Sequence, residues 1–196
     1  MRIALTIDTE HPDRPCDPEN PELMVEILKA EGVKATFFVQ GAWALSHPHL
    51  LRRIRDDGHL IGNHSHWHAP MTKLREPGAK ESVTKAEAAI VAVCGVDPRP
   101  WFRLPYGDGA GPRHPGMTEL LDNLGYRHVG WDVDPRDWDP EATPASILEC
   151  VKDVIASKAD PVKIVLHAWP DATLFALPRL IEKLRLLGDF VRLDEA

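Results

Sequence analysis

Seven short β-prone runs alternate with helical stretches along the 196 residues, and this alternation restricts the fold more than any other feature. The runs fall at residues 2–7, 35–39, 59–63, 101–103, 126–131, 163–166 and 190–192. The helical stretches are expected at 20–31, 46–57, 78–94, 115–124, 144–158 and 173–187. Asn20-Pro21 opens the first as cap and first helical residue, and Gly32 ends it. Ser46 is read as the cap of the second, and Gly58 stops it. Strands separated by helices pair in parallel, because a parallel neighbour needs a crossover long enough to hold a helix. The expectation is an α/β chain forming one domain over 1–196. The alternation is compatible with a closed barrel or with an open sheet.

Polar residues stand where each strand ends. Asp8, His64, Arg103, Asp132 and His167 each lie just beyond the carboxyl end of a β-prone run. Parallel α/β folds build their sites at that end. Asp8 and Glu10 follow an apolar strand and share one of its faces, because strand side chains alternate. Carboxylates on a buried strand end need a partner. In His64-Ser65-His66-Trp67-His68 the outer imidazoles are four positions apart, so on a helical turn they would face one point. Two neutral imidazoles meeting there make half of a transition-metal site.

Five segments lie in order: Thr6-Ile7-Asp8-Thr9-Glu10, His64 to His68, Arg103-Leu104-Pro105-Tyr106-Gly107, Asp132 to Trp138, and Leu166-His167. Together they closely resemble the polysaccharide deacetylases of carbohydrate esterase family four, the NodB homology domain. The resemblance implies a distorted (β/α)7 barrel. It also implies metal-dependent hydrolysis that removes an acetyl group from an N-acetylated amino sugar, in a polymer, an oligosaccharide or a small glycoside. By position, Asp8 matches the catalytic base and His167 the general acid. Arg103 matches the arginine that holds the base, and Asp134 the aspartate that tunes the histidine. Tyr106 matches the residue whose backbone N–H meets the oxyanion, and Trp138 and Leu166 the walls of an acetyl pocket. His64 and His68 match the metal-binding histidines. The family's second aspartate is replaced here by Thr9, a poor ligand, so Glu10 is expected to complete the metal set, with His11 as an alternative. One divalent ion is implied, zinc first, with cobalt, nickel or iron also suited to two imidazoles and a carboxylate.

The residue types fit amide hydrolysis without that likeness. The reaction needs a polarised carbonyl, an activated water, a base beside it and an acid for the leaving amine. Two other readings stand beside it: a cyclic amide or ureide hydrolase of the allantoinase-like branch, and a saccharide-binding domain without catalysis. A net charge of -7 speaks against nucleic acid as a partner. No run of eighteen apolar residues suggests a membrane span, and no leader-like run precedes the first strand, so a cytoplasmic protein is expected. Three widely spaced cysteines form no CxxC pair. His47, His49, His59 and His114 read as solvated, and His66 as packing or lining the cleft. Among Asp132, Asp134 and Asp137, at least one reads as a turn cap.

Overall fold

Residues 2–9 are apolar and β-prone, and every residue from Ile3 to Thr9 is buried in strand β1 (Arg2–Thr9). In the computed structural model, which describes residues 1–196 except 110, 112–113, 156 and 159, the chain then alternates as its pattern implies. Helix α1 (Asn20–Ala30) leads to β2 (Thr36–Val39), and α2 (Gly41–Ser46) and α3 (Pro48–Asp56) to β3 (Leu60–Asn63). Helix α4 (Glu76–Cys94) precedes β4 (Trp101–Phe102), and α5 (Pro115–Asn123) precedes β5 (Arg127–His128). The series closes with α6 (Pro144–Ile155), β6 (Val162–His167), α7 (Asp171–Arg185) and β7 (Asp189–Phe190). The strand order is β5-β4-β3-β2-β1-β6, with β7 also paired to β1. The pairs β1–β6, β1–β7, β3–β4 and β4–β5 are all parallel. Among the described residues, no helix is long and apolar enough to cross a membrane.

The chain divides into two compact units, residues 1–37, 57–60 and 131–196 in one and 38–56 and 61–130 in the other. In the first, β1 pairs β6 from Ile3 opposite Val162 to Asp8 opposite His167. Ile3, Leu5, Ile7, Ile164 and Leu166 are fully buried there with Ile147, Leu177 and Ile181 of the covering helices. Val133 bridges Ile164, which ties the segment after residue 131 to β6. In the second unit, Met71, Ala79, Val83, Phe102, Leu104, Leu120, Leu121 and Tyr126 form one apolar cluster.

The helix expected over 46–57 is α3, which begins at Pro48, and a separate short helix, α2, precedes it. Ser46 does not cap α3; its Oγ turns back to the Ala42 and Trp43 carbonyls. Pro48 disfavours α geometry at His47 and then starts α3, where its missing N–H costs nothing. The first residue of α2 is a glycine, Gly41, where α4 passes close by. A Cβ at Gly41 would stand 2.6 Å from the Ala86 Cα and 2.5 Å from the His66 Nδ1. Gly41→Ala is therefore expected to destabilise the fold by about 1–3 kcal/mol, the usual cost of overpacking. Thermal unfolding measures it, and an unchanged midpoint would mean that α2 moves aside without cost.

His59 is not solvated, contrary to its reading from sequence. It is 6% exposed, its ring meets Phe37 edge-on at 5.0 Å, and its Nδ1 accepts the Ala35 N–H at 3.1 Å. Burial, with help from Lys34, pushes its pKa down to about 4, so the ring stays a neutral acceptor.

Candidate active site

The first unit carries a histidine clamped between carboxylates. Parallel register sets Asp8 beside His167, so their side chains share one face of the ladder. Asp8 is 4% exposed. The His167 Nδ1 lies 2.7 Å from Asp137 Oδ1, and the His167 backbone N–H donates to Asp137 Oδ2 at 2.8 Å. Thr173 Oγ1 donates to the same Oδ2 at 2.6 Å. A carboxylate that accepts three bonds while fully buried is rigid, and it fixes the ring of His167.

This corrects the expectation for Asp134. Its Oδ1 accepts the Arg136 N–H at 2.8 Å and closes the turn, so Asp134 is the capping aspartate and Asp137 the partner of His167. Asp132 has another task, accepting the Lys163 N–H and pairing with the Lys163 Nζ, each at 2.8 Å. The cause is register: the bridge at Val133 places 132 against β6, and the chain needs the following turn to bring 137 back to the strand end.

Glu10 lies on the same side of this unit. It is 3% exposed, and its Oε1 accepts the Trp169 indole N–H at 2.9 Å. Its Oε2 is buried and has no hydrogen-bond partner. Burial pushes the Glu10 pKa up to about 8, and Asp8 adds to this while His167 opposes it. For His167, burial disfavours the charged ring, but the charge and hydrogen bond of Asp137, with Glu10 and Asp8, raise it to about 10. Thr9 turns away; it is fully buried, and its hydroxyl bonds the Ile7 carbonyl. His11 is exposed. Leu166 is fully buried in β6, and Trp138 is 38% exposed beneath the Arg136 guanidinium at 5.1 Å.

The second unit carries the imidazole pair. His64 and His68 have ring centroids 4.9 Å apart. They converge by a route other than the helical turn that their spacing suggests. Ser65 (φ 62) and His68 (φ 55) are left-handed, Asn63 Oδ1 accepts the Ser65 N–H at 2.9 Å, and Ser65 Oγ accepts the His68 N–H at 3.2 Å. Two local side-chain acceptors thus hold a strained turn after β3. His64 is 1% exposed and its Nδ1 lies 2.9 Å from the Arg103 carbonyl. A carbonyl can only accept, so Nδ1 carries the proton and Nε2 carries the lone pair.

Arg103 is fully buried, as its apolar flank implies. Its Nε and Nη2 donate to the carbonyls of Val129 and Gly130 at 3.1 and 3.3 Å, and its guanidinium lies 4.1 Å from the Phe38 ring centre. Tyr106 follows at left-handed φ 58, with its ring 4.5 Å from that of His68. Asp108 fastens this loop by accepting the Thr72 N–H and hydroxyl, at 2.7 and 2.8 Å. Trp169 is the site residue whose role the sequence did not disclose; the one available signal was its position two residues after His167.

Imidazoles and carboxylates presented from the carboxyl ends of parallel strands define an α/β protein with a histidine–carboxylate site. More particularly, the chain belongs to the polysaccharide deacetylase family, whose sequence model matches residues 1–129. It is 31% identical over 195 residues to the peptidoglycan-N-acetylglucosamine deacetylase PgdA of Listeria monocytogenes, covering 99% of this chain and 38% of that protein. It is 29% identical over 204 residues to a chitooligosaccharide deacetylase of Sinorhizobium fredii, covering 97% of this chain and 88% of the other. Among solved structures, the family 4 carbohydrate esterase from Streptomyces lividans in complex with acetate superposes with TM-score 0.80 at 28% identity, over 97% of this chain and 90% of that one. The fold implied by the five motifs is borne out by that superposition.

Proposed function

We propose that this chain hydrolyses the acetamide of an N-acetylated amino sugar with the help of one divalent cation. The observation that carries the reading is His167, held by Asp137 and standing in register with Asp8. The relatives' names, a peptidoglycan-N-acetylglucosamine and a chitooligosaccharide deacetylase, support the substrate class.

Glu10, His64 and His68 are the residues that would hold the cation. The donor set of one carboxylate and two imidazoles suits zinc, cobalt, nickel or iron. The buried Glu10 Oε2 without a hydrogen-bond partner supports the fit, because a cation would compensate it. When bound, the ion would polarise the amide carbonyl and make water more acidic.

The remaining steps belong to the chain. Asp8, ionised, takes the proton from the attacking water. Arg103 is the residue assigned to keep Asp8 ionised. His167, protonated at neutral pH through Asp137, delivers a proton to the departing amine, which would otherwise leave as an unstable anion. The backbone N–H of Tyr106 is assigned to the oxyanion, and its left-handed φ turns that peptide out of the helical path. Trp138 and Leu166 are assigned to the acetyl methyl, where each extra methylene is rejected by about 1–3 kcal/mol.

The test is acetate release from N-acetylglucosamine oligomers. Turnover is expected to vanish with a chelator and to return with zinc or cobalt. Turnover indifferent to the chelator, or saccharide binding with no acetate released, would overturn the reading.

A further inference from the structure

Glutamate in place of a shorter ligand poses a mechanical problem. It has one more rotatable bond than aspartate, so an unrestrained Glu10 would give up more freedom when it grips an ion. The first unit supplies the restraint. The Trp169 Nε1–H donates to Glu10 Oε1 at 2.9 Å within the protein interior. An indole has one donor and no charge. It can therefore anchor one oxygen without neutralising the carboxylate, as a lysine or arginine would.

Trp169 is itself held on several sides. It is 3% exposed. The Asn20 amide donates to its carbonyl at 2.9 Å and to Asp171 Oδ1 at 2.5 Å, which fixes the backbone. The Arg14 guanidinium lies over the indole face, 4.6 Å from the ring centre, while Arg14 also donates to the carbonyls of Trp138 and Asp139. A cation over the face draws electron density from the ring and makes its N–H a stronger donor. With Oε1 occupied, the other oxygen is left buried with no hydrogen-bond partner.

We infer that Trp169 is a positioning residue whose indole N–H fixes Glu10 so that Oε2 alone is presented to the cation. This rests on the reading of Glu10 as a ligand.

The experiment titrates the metal-free full chain with zinc against a chromophoric chelator. It compares wild type with Trp169→Phe, Glu10→Ala and the double variant. Phenylalanine keeps an aromatic face for Arg14 and removes the donor together with part of the ring volume, whose cost is read from the melting point of the metal-free protein. Trp169→Phe is expected to weaken zinc binding about 10–100-fold, the usual cost of losing a partner that orients a ligand. The double variant is expected to bind no more weakly than Glu10→Ala, because Trp169 acts through Glu10. A merely structural role would lower the melting point of the metal-free protein and leave zinc affinity unchanged, which overturns the inference. Unchanged zinc affinity in Glu10→Ala would instead sink the reading of Glu10 as a ligand. Should Trp169→Phe not fold, the assigned indole N–H resonance of Trp169 decides. It is expected to shift when zinc is added to wild type, and to lie upfield in metal-free Glu10→Ala; no difference in either comparison overturns the inference.

Discussion

On the proposed reading, His64→Ala is expected to lose more than about 100-fold in affinity for a divalent cation, and acetate release is expected to fall with it. Losing a partner that only orients a metal ligand costs roughly 10–100-fold, so losing the ligand costs at least that much. His64 is prepared for the task more fully than His68. It is buried, and the Arg103 carbonyl at 2.9 Å fixes its tautomer, so that Nε2 offers a lone pair before any ion arrives. Folding of the variant is checked by circular dichroism, and zinc affinity by competition with a chelator of known strength. A well-folded His64→Ala protein that keeps zinc affinity within a few-fold of wild type would make His64 a structural histidine.

Asp137→Asn is expected to move the pH profile of turnover. Burial alone would push the His167 pKa down; the Asp137 carboxylate, by charge and hydrogen bond, reverses this and the ring stays protonated up to about 10. A general acid works while it holds its proton, so the alkaline limb of the wild-type profile is expected to lie high. Without the Asp137 carboxylate, burial is opposed only by Glu10 and Asp8, and the limb is expected to move down toward 6.5, the ordinary histidine value. At pH 8, kcat/KM falls by about 10²–10⁴-fold, the share of rate that general acid catalysis supplies.

The same shift acts on stability. A raised pKa in the folded state contributes stability fully present below 6.5 and lost as pH rises through about 10, so alkaline destabilisation is expected to be weaker in the variant. Asparagine also has one acceptor oxygen where Asp137 has two, so it cannot accept from the His167 Nδ1–H and from the His167 N–H and Thr173 hydroxyl together, which costs the variant about 1–3 kcal/mol at neutral pH. An alkaline limb unmoved in Asp137→Asn would remove His167 as the acid.

Several residues differ in how far their surroundings can be inferred from the chain. The strand ends at Asp8 and His167 were readable, because an apolar run that meets an acid or an imidazole marks its own boundary. The closeness of His64 and His68 was readable from spacing, but the means was not. Their convergence comes from left-handed Ser65 and His68 held by Asn63 and Ser65 side chains, where periodicity suggested a helical turn. The burial of His59 was unreadable because its acceptor role depends on Ala35, a residue of another segment.

The linear order of strand and helix, the family, and the polar residues at the strand ends were determined by the sequence itself, because they rest on local periodicity and on motif order. Which aspartate among 132, 134 and 137 meets His167, and that Trp169 anchors Glu10, was decided only in the folded chain. Those pairings join residues 30 and 159 positions apart, and partners at such separations depend on strand register and loop path, which no neighbouring residue encodes.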